Sequence, residues 1–330
     1  MKLSTAAVIV LIAVPMALWA QSQVASGQFP DDDIVRVSTN LVSVPVIVKT
    51  RQGSYVPSLH KEDFRIYEDG VEQEISHFET IDKPFTIVLM LDMSDSTRIK
   101  LNEIENAAIA FLNQLRPDDR ALIVAFDKQV VRLTEATGDR KVLSEAIRRV
   151  KTGGGTALYD TVDTVINSYL RQIPGRKAIV ILTDGIDTSS VRSTYVSTVI
   201  SATKQYALIY PIQYDTAYDA KPTSGDFSQL APILTTPSGE PLSQAYKRGT
   251  RYLELIAHSA GGRFQYADSL RNLEHSFARI AEELRQQYSL SYYPKNQAQK
   301  NGKRRIKIGV SIPNAVIHAR ESYAYKSDTP

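Results

Sequence analysis

The chain has 330 residues, is 43% apolar, and sets 39 basic against 36 acidic side chains for a net charge of +3. Apolar content at that level excludes a wholly disordered chain and is enough for one large domain plus a smaller one, while so small a net charge excludes a general affinity for nucleic acid. With no cysteine at all, a disulfide framework and a lipid-attachment cysteine are excluded as well.

At the N-terminus Lys2 precedes an apolar run from Ala6 to Ala20, broken by Pro15 and followed by the polar Gln21-Ser22-Gln23. This reads as a secretory signal peptide over residues 1–20, cleaved after Ala20; an uncleaved anchor is the alternative. No other stretch reaches spanning length, so the expected mature protein carries no membrane span and is periplasmic or secreted. Residues 21–33 read as a flexible leader. Its closing Asp31-Asp32-Asp33 is better explained as a solvated, self-repelling run than as a metal site.

Residues 34–80 alternate with a period of two. Val44, Val46 and Val48 share one face, residues 51–54 make a turn, and Asp69-Gly70 turns between two strands. Residues 288–326 have the same texture, in 288–293, 304–310 and 316–320. Neither flank has strands enough to stand alone, so both are expected to build one small β-sandwich. Within it the basic cluster Lys303-Arg304-Arg305 reads as a solvated strand face or turn.

Between the flanks, residues 83–287 alternate strand and helix as a doubly wound, mostly parallel sheet requires. Phe85 to Leu91 is an unbroken apolar strand, followed by a helical face over 99–115, a strand at 121–126 and an antiparallel edge at 129–133. Helices are expected at 140–150 and 157–170, a strand at 177–182, a helix at 194–205 and a strand at 207–213. A helix at 252–259, a short strand at 263–266 and an amphipathic helix at 270–286 complete the pattern. The Pro- and Gly-bearing segment 215–248 is expected to be a long loop, either a lid over the site or a surface loop without a role.

The first apolar strand runs straight into Asp92-Met93-Ser94-Asp95-Ser96. Carboxyl ends of parallel strands build the ligand crevice in such sheets, so Asp92, Ser94 and Ser96 are displayed there, and three oxygens suit a hard cation. Gly153-Gly154-Gly155-Thr156 opens a later helix, and the strand ending at Leu182 leads into Thr183-Asp184-Gly185. In this order the pieces resemble the von Willebrand factor type A family and its metal-ion-dependent adhesion site. The resemblance implies that Ser94, Ser96 and Thr156 contact the metal, while Asp92 and Asp184 act through water or by hydrogen-bonding the serines. It further implies Mg2+ as cofactor, with Mn2+ or Ca2+ as substitutes, and a protein partner offering an Asp or Glu carboxylate. Asp95, Asp160 and Asp187 are candidates for a ring behind the ligands. Asp95 would add negative charge at the rim, and Asp160 and Asp187 near helix starts also suit the helix dipole.

Enzymatic alternatives lack parts. A phosphatase of the haloacid-dehalogenase type wants an acid at position 94, where Ser94 stands. No Gly-x-Ser-x-Gly elbow occurs, the glycine run lacks the lysine of a phosphate loop, and the five histidines show no paired metal-ligand spacing. The expected function is therefore non-enzymatic: an exported, metal-dependent protein-binding module. The alternative is a structural envelope or secretion component in which the metal only stabilises loops.

Overall fold

The computed structural model describes residues 41–80, 83–205, 207–214, 235–296 and 301–326. The expected signal peptide, the leader with Asp31 to Asp33, and residues 215–234 of the long segment lie outside them.

Chain order begins with β1 (Val42–Lys49), β2 (Phe64–Glu68), β3 (Val71–Gln73) and β4 (Ile75–Glu79). The α/β segment follows: β5 (Phe85–Asp92), α1 (Leu101–Asn113), β6 (Arg120–Phe126), β7 (Val130–Arg132), α2 (Arg140–Arg148) and α3 (Leu158–Thr164). It continues through β8 (Arg176–Thr183), α4 (Tyr195–Thr203), β9 (Leu208–Tyr214), α5 (Leu242–Ala260), β10 (Gln265–Ala267) and α6 (Leu270–Arg285). The last strands are β11 (Gln287–Tyr292), β12 (Asn301–Val310), β13 (Val316–Ala319) and β14 (Ser322–Lys326).

The central sheet has the order β10-β9-β8-β5-β6-β7, parallel except for the edge strand β7. β5 lies in its interior, with every residue buried. Ile87, Leu89 and Leu91 pack beneath α1, α2 and α6, and Val88 and Met90 beneath α3, α4 and α5, so both faces of the strand are lost to water. That two-sided burial is why the strand reads as an apolar run rather than an alternation. It also fixes which end can carry polar chemistry: the chain can meet water only after Leu91.

Two four-stranded antiparallel sheets, β13-β1-β11-β4 and β14-β12-β2-β3, draw strands from both sides of the α/β segment. Val42, Val44, Val46 and Val48 fill the core between them with Phe64, Ile66, Leu290 and Ile306. Ile47, on the opposite face of β1, joins the core beneath α1 and α6. The sheet containing β1 therefore sits between its partner sheet and the parallel-sheet core.

One helix departs from expectation. α5 begins at Leu242 rather than near 252, so residues 242–248 of the expected loop are its first two turns. Pro241 precedes it, where a missing N–H costs nothing. Gly249 looks like a helix breaker in sequence, but it is retained for the close contact described below.

The sandwich core holds a charge pair. Glu68 and Arg304 are 3% and 2% exposed and meet at 2.7 Å, and the Tyr292 and Tyr323 hydroxyls each donate to Glu68 Oε2 at 2.7 Å. Burial, reinforced by the Glu68 contact, pushes both phenols far up, so they remain donors. Arg304 is thus a core residue and not part of a solvated basic face. Glu68→Gln leaves a buried guanidinium without its counter-charge and is expected to cost about 3 kcal/mol, read as a lowered urea midpoint.

Where β1 and β13 meet α6, Glu283 receives Lys49 at 3.4 Å and Arg263 at 3.3 Å, and Arg263 Nη2 donates to His318 Nε2 at 2.5 Å. Burial, with repulsion from Arg263 and Lys49, holds His318 down at about 4. An imidazole depressed in the fold stays neutral there while the unfolded chain takes up a proton near the ordinary value of about 6.5. Its contribution to stability is complete above that value and is lost as pH falls toward 4. His318→Gln is expected to show a smaller drop in melting temperature between pH 7 and pH 4.5 than the parent chain, by scanning calorimetry.

Candidate metal centre

Asp92 is the last residue of β5 and is 1% exposed. Its Oδ1 accepts the Ser94 backbone N–H at 3.0 Å, and its Oδ2 accepts the Thr183 hydroxyl from the end of neighbouring β8 at 2.6 Å. Ser96 Oγ donates to Asp184 Oδ2 at 2.8 Å and lies 3.0 Å from Ser94 Oγ. Since Ser96 has a single hydroxyl proton and gives it to Asp184, Ser94 is the donor between the two serines. Four of the five residues expected at the site are therefore joined by hydrogen bonds across two adjacent parallel strands.

Thr156 arrives by a different route. Gly153 N–H donates to Met93 O at 2.8 Å, drawing the glycine run against the end of β5. The Thr156 N–H donates to Thr188 Oγ1 at 2.9 Å, and its carbonyl accepts from the Thr188 and Ser189 amides at 2.9 Å. Thr156 is held by backbone contacts, and among the described residues its hydroxyl makes no hydrogen bond with the other four. Gly155 has φ +77°, and a Cβ there would stand 2.4 Å from Ser189 Oγ, so only glycine brings the loop this close.

The three aspartates expected behind the ligands use their carboxylates elsewhere. Asp187 accepts from the Tyr159 amide at the start of α3 and from the Ser190 hydroxyl. Asp160 accepts the amides of Val191, Arg192 and Ser193. Burial pushes Asp160 up, but these three bonds together with Arg192 outweigh it and hold the carboxyl below its ordinary range. Both residues therefore fasten the loop after Asp184 to α3. Asp95 is exposed and pairs with Arg98.

Several contributors went unassigned in the sequence. Thr183 stood one residue before a predicted ligand, and Gln213 ends a predicted strand at the same rim. Gln213 Nε2 donates to the Asp184 carbonyl at 2.8 Å, while its Oε1 accepts from Thr250 on α5 at 2.9 Å. Asp127 and Lys128, between β6 and β7, lie over the glycine run. Lys128 Nζ is 3.6 Å from where a Gly154 Cβ would be. Nothing in local pattern signals these contacts.

Two carboxylates buried at one rim repel each other. Burial first, and the neighbouring Asp184 second, push Asp92 well up from its ordinary value. No trio of His, Cys, Asp or Glu side chains placed to hold a metal exists among the described residues. A cation here must rely on hydroxyls together with two carboxylates, a donor set that suits a hard dication.

Residues 87–186 match the family model for the von Willebrand factor type A domain. The chain contains a von Willebrand factor type A domain. An uncharacterized protein of Synechocystis is 30% identical over 106 residues, 31% of this chain and 25% of that protein, so the match spans about a quarter of the curated relative. A von Willebrand factor type A structure from Catenulispora acidiphila is similar at 12% identity, with TM-score 0.49, covering 81% of this chain and 74% of that one. Proximal thread matrix protein 1 of the mussel byssus, solved with a zinc-occupied MIDAS motif, is similar at 15% identity, with TM-score 0.45, covering 64% and 48%.

The rear of the type A domain's site is braced by α5. A Cβ on Gly249 would stand 2.5 Å from the Gly185 carbonyl oxygen, directly after Asp184. On helix propensity alone Gly249→Ala gains about 1 kcal/mol, but the clash is with backbone and cannot be relieved by a side-chain rotation. The variant is expected to be less stable than the parent by about 1–3 kcal/mol, measured by chemical denaturation.

Proposed function

We propose that the protein is an exported, non-enzymatic binding module that holds Mg2+, or Mn2+ or Ca2+ in its place, with Ser94, Ser96, Thr156, Asp92 and Asp184, and captures an Asp or Glu carboxylate of a protein partner. The observation that carries this reading is the chain of contacts from Ser94 through Ser96 to Asp184, with Asp92 buried behind it. A bound dication supplies a hard positive charge able to attract and orient an outside carboxylate.

The chain's own residues do the rest. Ser94 and Ser96 bring neutral oxygens to the rim, so the metal's charge is not used up by the protein. Asp92, engaged by the Ser94 amide and the Thr183 hydroxyl, keeps the serine loop in register with β8. Asp160 and Asp187 hold the neighbouring loop in place. Export rests on the apolar run behind Lys2, and among the described residues no helix is long and apolar enough to cross a membrane.

Titrating Mn2+ into the chain and following free Mn2+ by electron paramagnetic resonance tests the site. Saturable binding with a rise in melting temperature is expected, lost in Ser94→Ala/Ser96→Ala and in Asp184→Ala. Capture of a partner from envelope extract should vanish with chelator and with Asp184→Ala. A metal that raises the melting temperature without altering capture would support the loop-stabilising alternative.

A further inference from the structure

A cleft lies beside β12 of the sandwich. Alternation along β12 turns Arg304 and Ile306 inward, at 2% and 6% exposure, and leaves Lys303, Arg305 and Lys307 exposed on the outer face. Among the described residues none of these three side chains forms an ion pair. Residues two apart on a strand repeat at about 6.6–6.8 Å, so three cations stand in a row at that interval. They line a cleft of about 930 Å3 whose other walls include Leu255 and His258 of α5, Ile308, and Ile317 of β13.

Among the described residues the lining carries two carboxylates, Asp69 and Glu321, fewer than the three β12 cations, so the cleft remains positive. Asp69 Oδ1 accepts the Arg305 backbone N–H at 2.9 Å, and Glu321 lies 4.0 Å from His258 Nε2. The surface is separate from the metal centre. Gly249 on α5 abuts Gly185, while His258 reaches the cleft nine residues on, roughly 13 Å along the helix axis.

We propose that this cleft binds an extended peptide segment in which acidic residues alternate with apolar ones. In such a segment the side chains on one face repeat at the same interval as the β12 cations, and the other face meets Leu255 and Ile317. Among the described residues Tyr67 and His258 are the lining's only rings, too few to stack the successive bases of a single-stranded nucleic acid. A polyphosphate would leave the apolar wall facing a polar chain. The concave shape excludes a flat lipid surface.

Fluorescence anisotropy with a fluorescein-labelled peptide of alternating Glu and Val, titrated with the full chain, tests this. Binding is expected that weakens with added salt, persists in EDTA, and falls about tenfold or more in Lys303→Gln/Arg305→Gln/Lys307→Gln. Leu255→Ser should weaken it several-fold. All four side chains are exposed, so melting temperatures should match the parent. The proposal is overturned if the peptide does not bind, if the Gln-Val counterpart binds equally well, if the triple variant binds like the parent, or if sodium polyphosphate binds more tightly than the peptide. Persistence in EDTA separates this outcome from the fate of the metal reading, and loss in EDTA would overturn the proposal.

Discussion

Asp92 and Asp184 place two carboxylates at the water-poor end of adjacent parallel strands, and a buried carboxylate is tolerated only when its oxygens are met by donors or by a cation. Asp92 is met by an amide of its own loop and a hydroxyl from β8; Asp184 is met by Ser96. The Thr183 and Ser96 contacts cross from one strand end to the next, so satisfying the carboxylates also aligns the loops. Their remaining mutual repulsion is what a dication would relieve. The same electrostatics that make the site costly in isolation therefore make it a fit for metal.

Everything nearby serves to keep that arrangement stiff. The loop following Asp184 is fastened to α3 by Asp160 and Asp187, Thr156 is fastened to the same loop by backbone bonds, and α5 presses Gly249 against Gly185. These are short polar or steric contacts between segments far apart in sequence, and they replace the water that would otherwise solvate a loop. β1 plays a comparable part at the sandwich, with its valines facing one core and Ile47 the other.

Legibility from sequence tracked how local the physics was. β5, β6 and β8 were readable because strands buried on both faces need continuous apolar runs, and the amphipathic helices because their stripes repeat locally. α5 begins earlier than its local pattern predicts because the cost of Pro241 and Gly249 is overridden by packing. Arg304 was misread with its neighbours, since three consecutive basic residues do not announce that the middle one turns into a core to meet Glu68.

The polypeptide sequence by itself determined the strand order's raw material, the flanking β texture, and the hydroxyl- and carboxylate-bearing residues that follow the parallel strands, because residue type and spacing are enough to specify periodicity and donor chemistry. Only the tertiary structure decided that Thr183 and Gln213 hold the two aspartates' neighbourhood, that Asp95, Asp160 and Asp187 are engaged elsewhere, and that Lys303, Arg305 and Lys307 line a cleft. Those outcomes depend on which distant segments come within about 3 Å of each other, and hydrogen bonding at that range is a property of the packed chain, not of any window of its sequence.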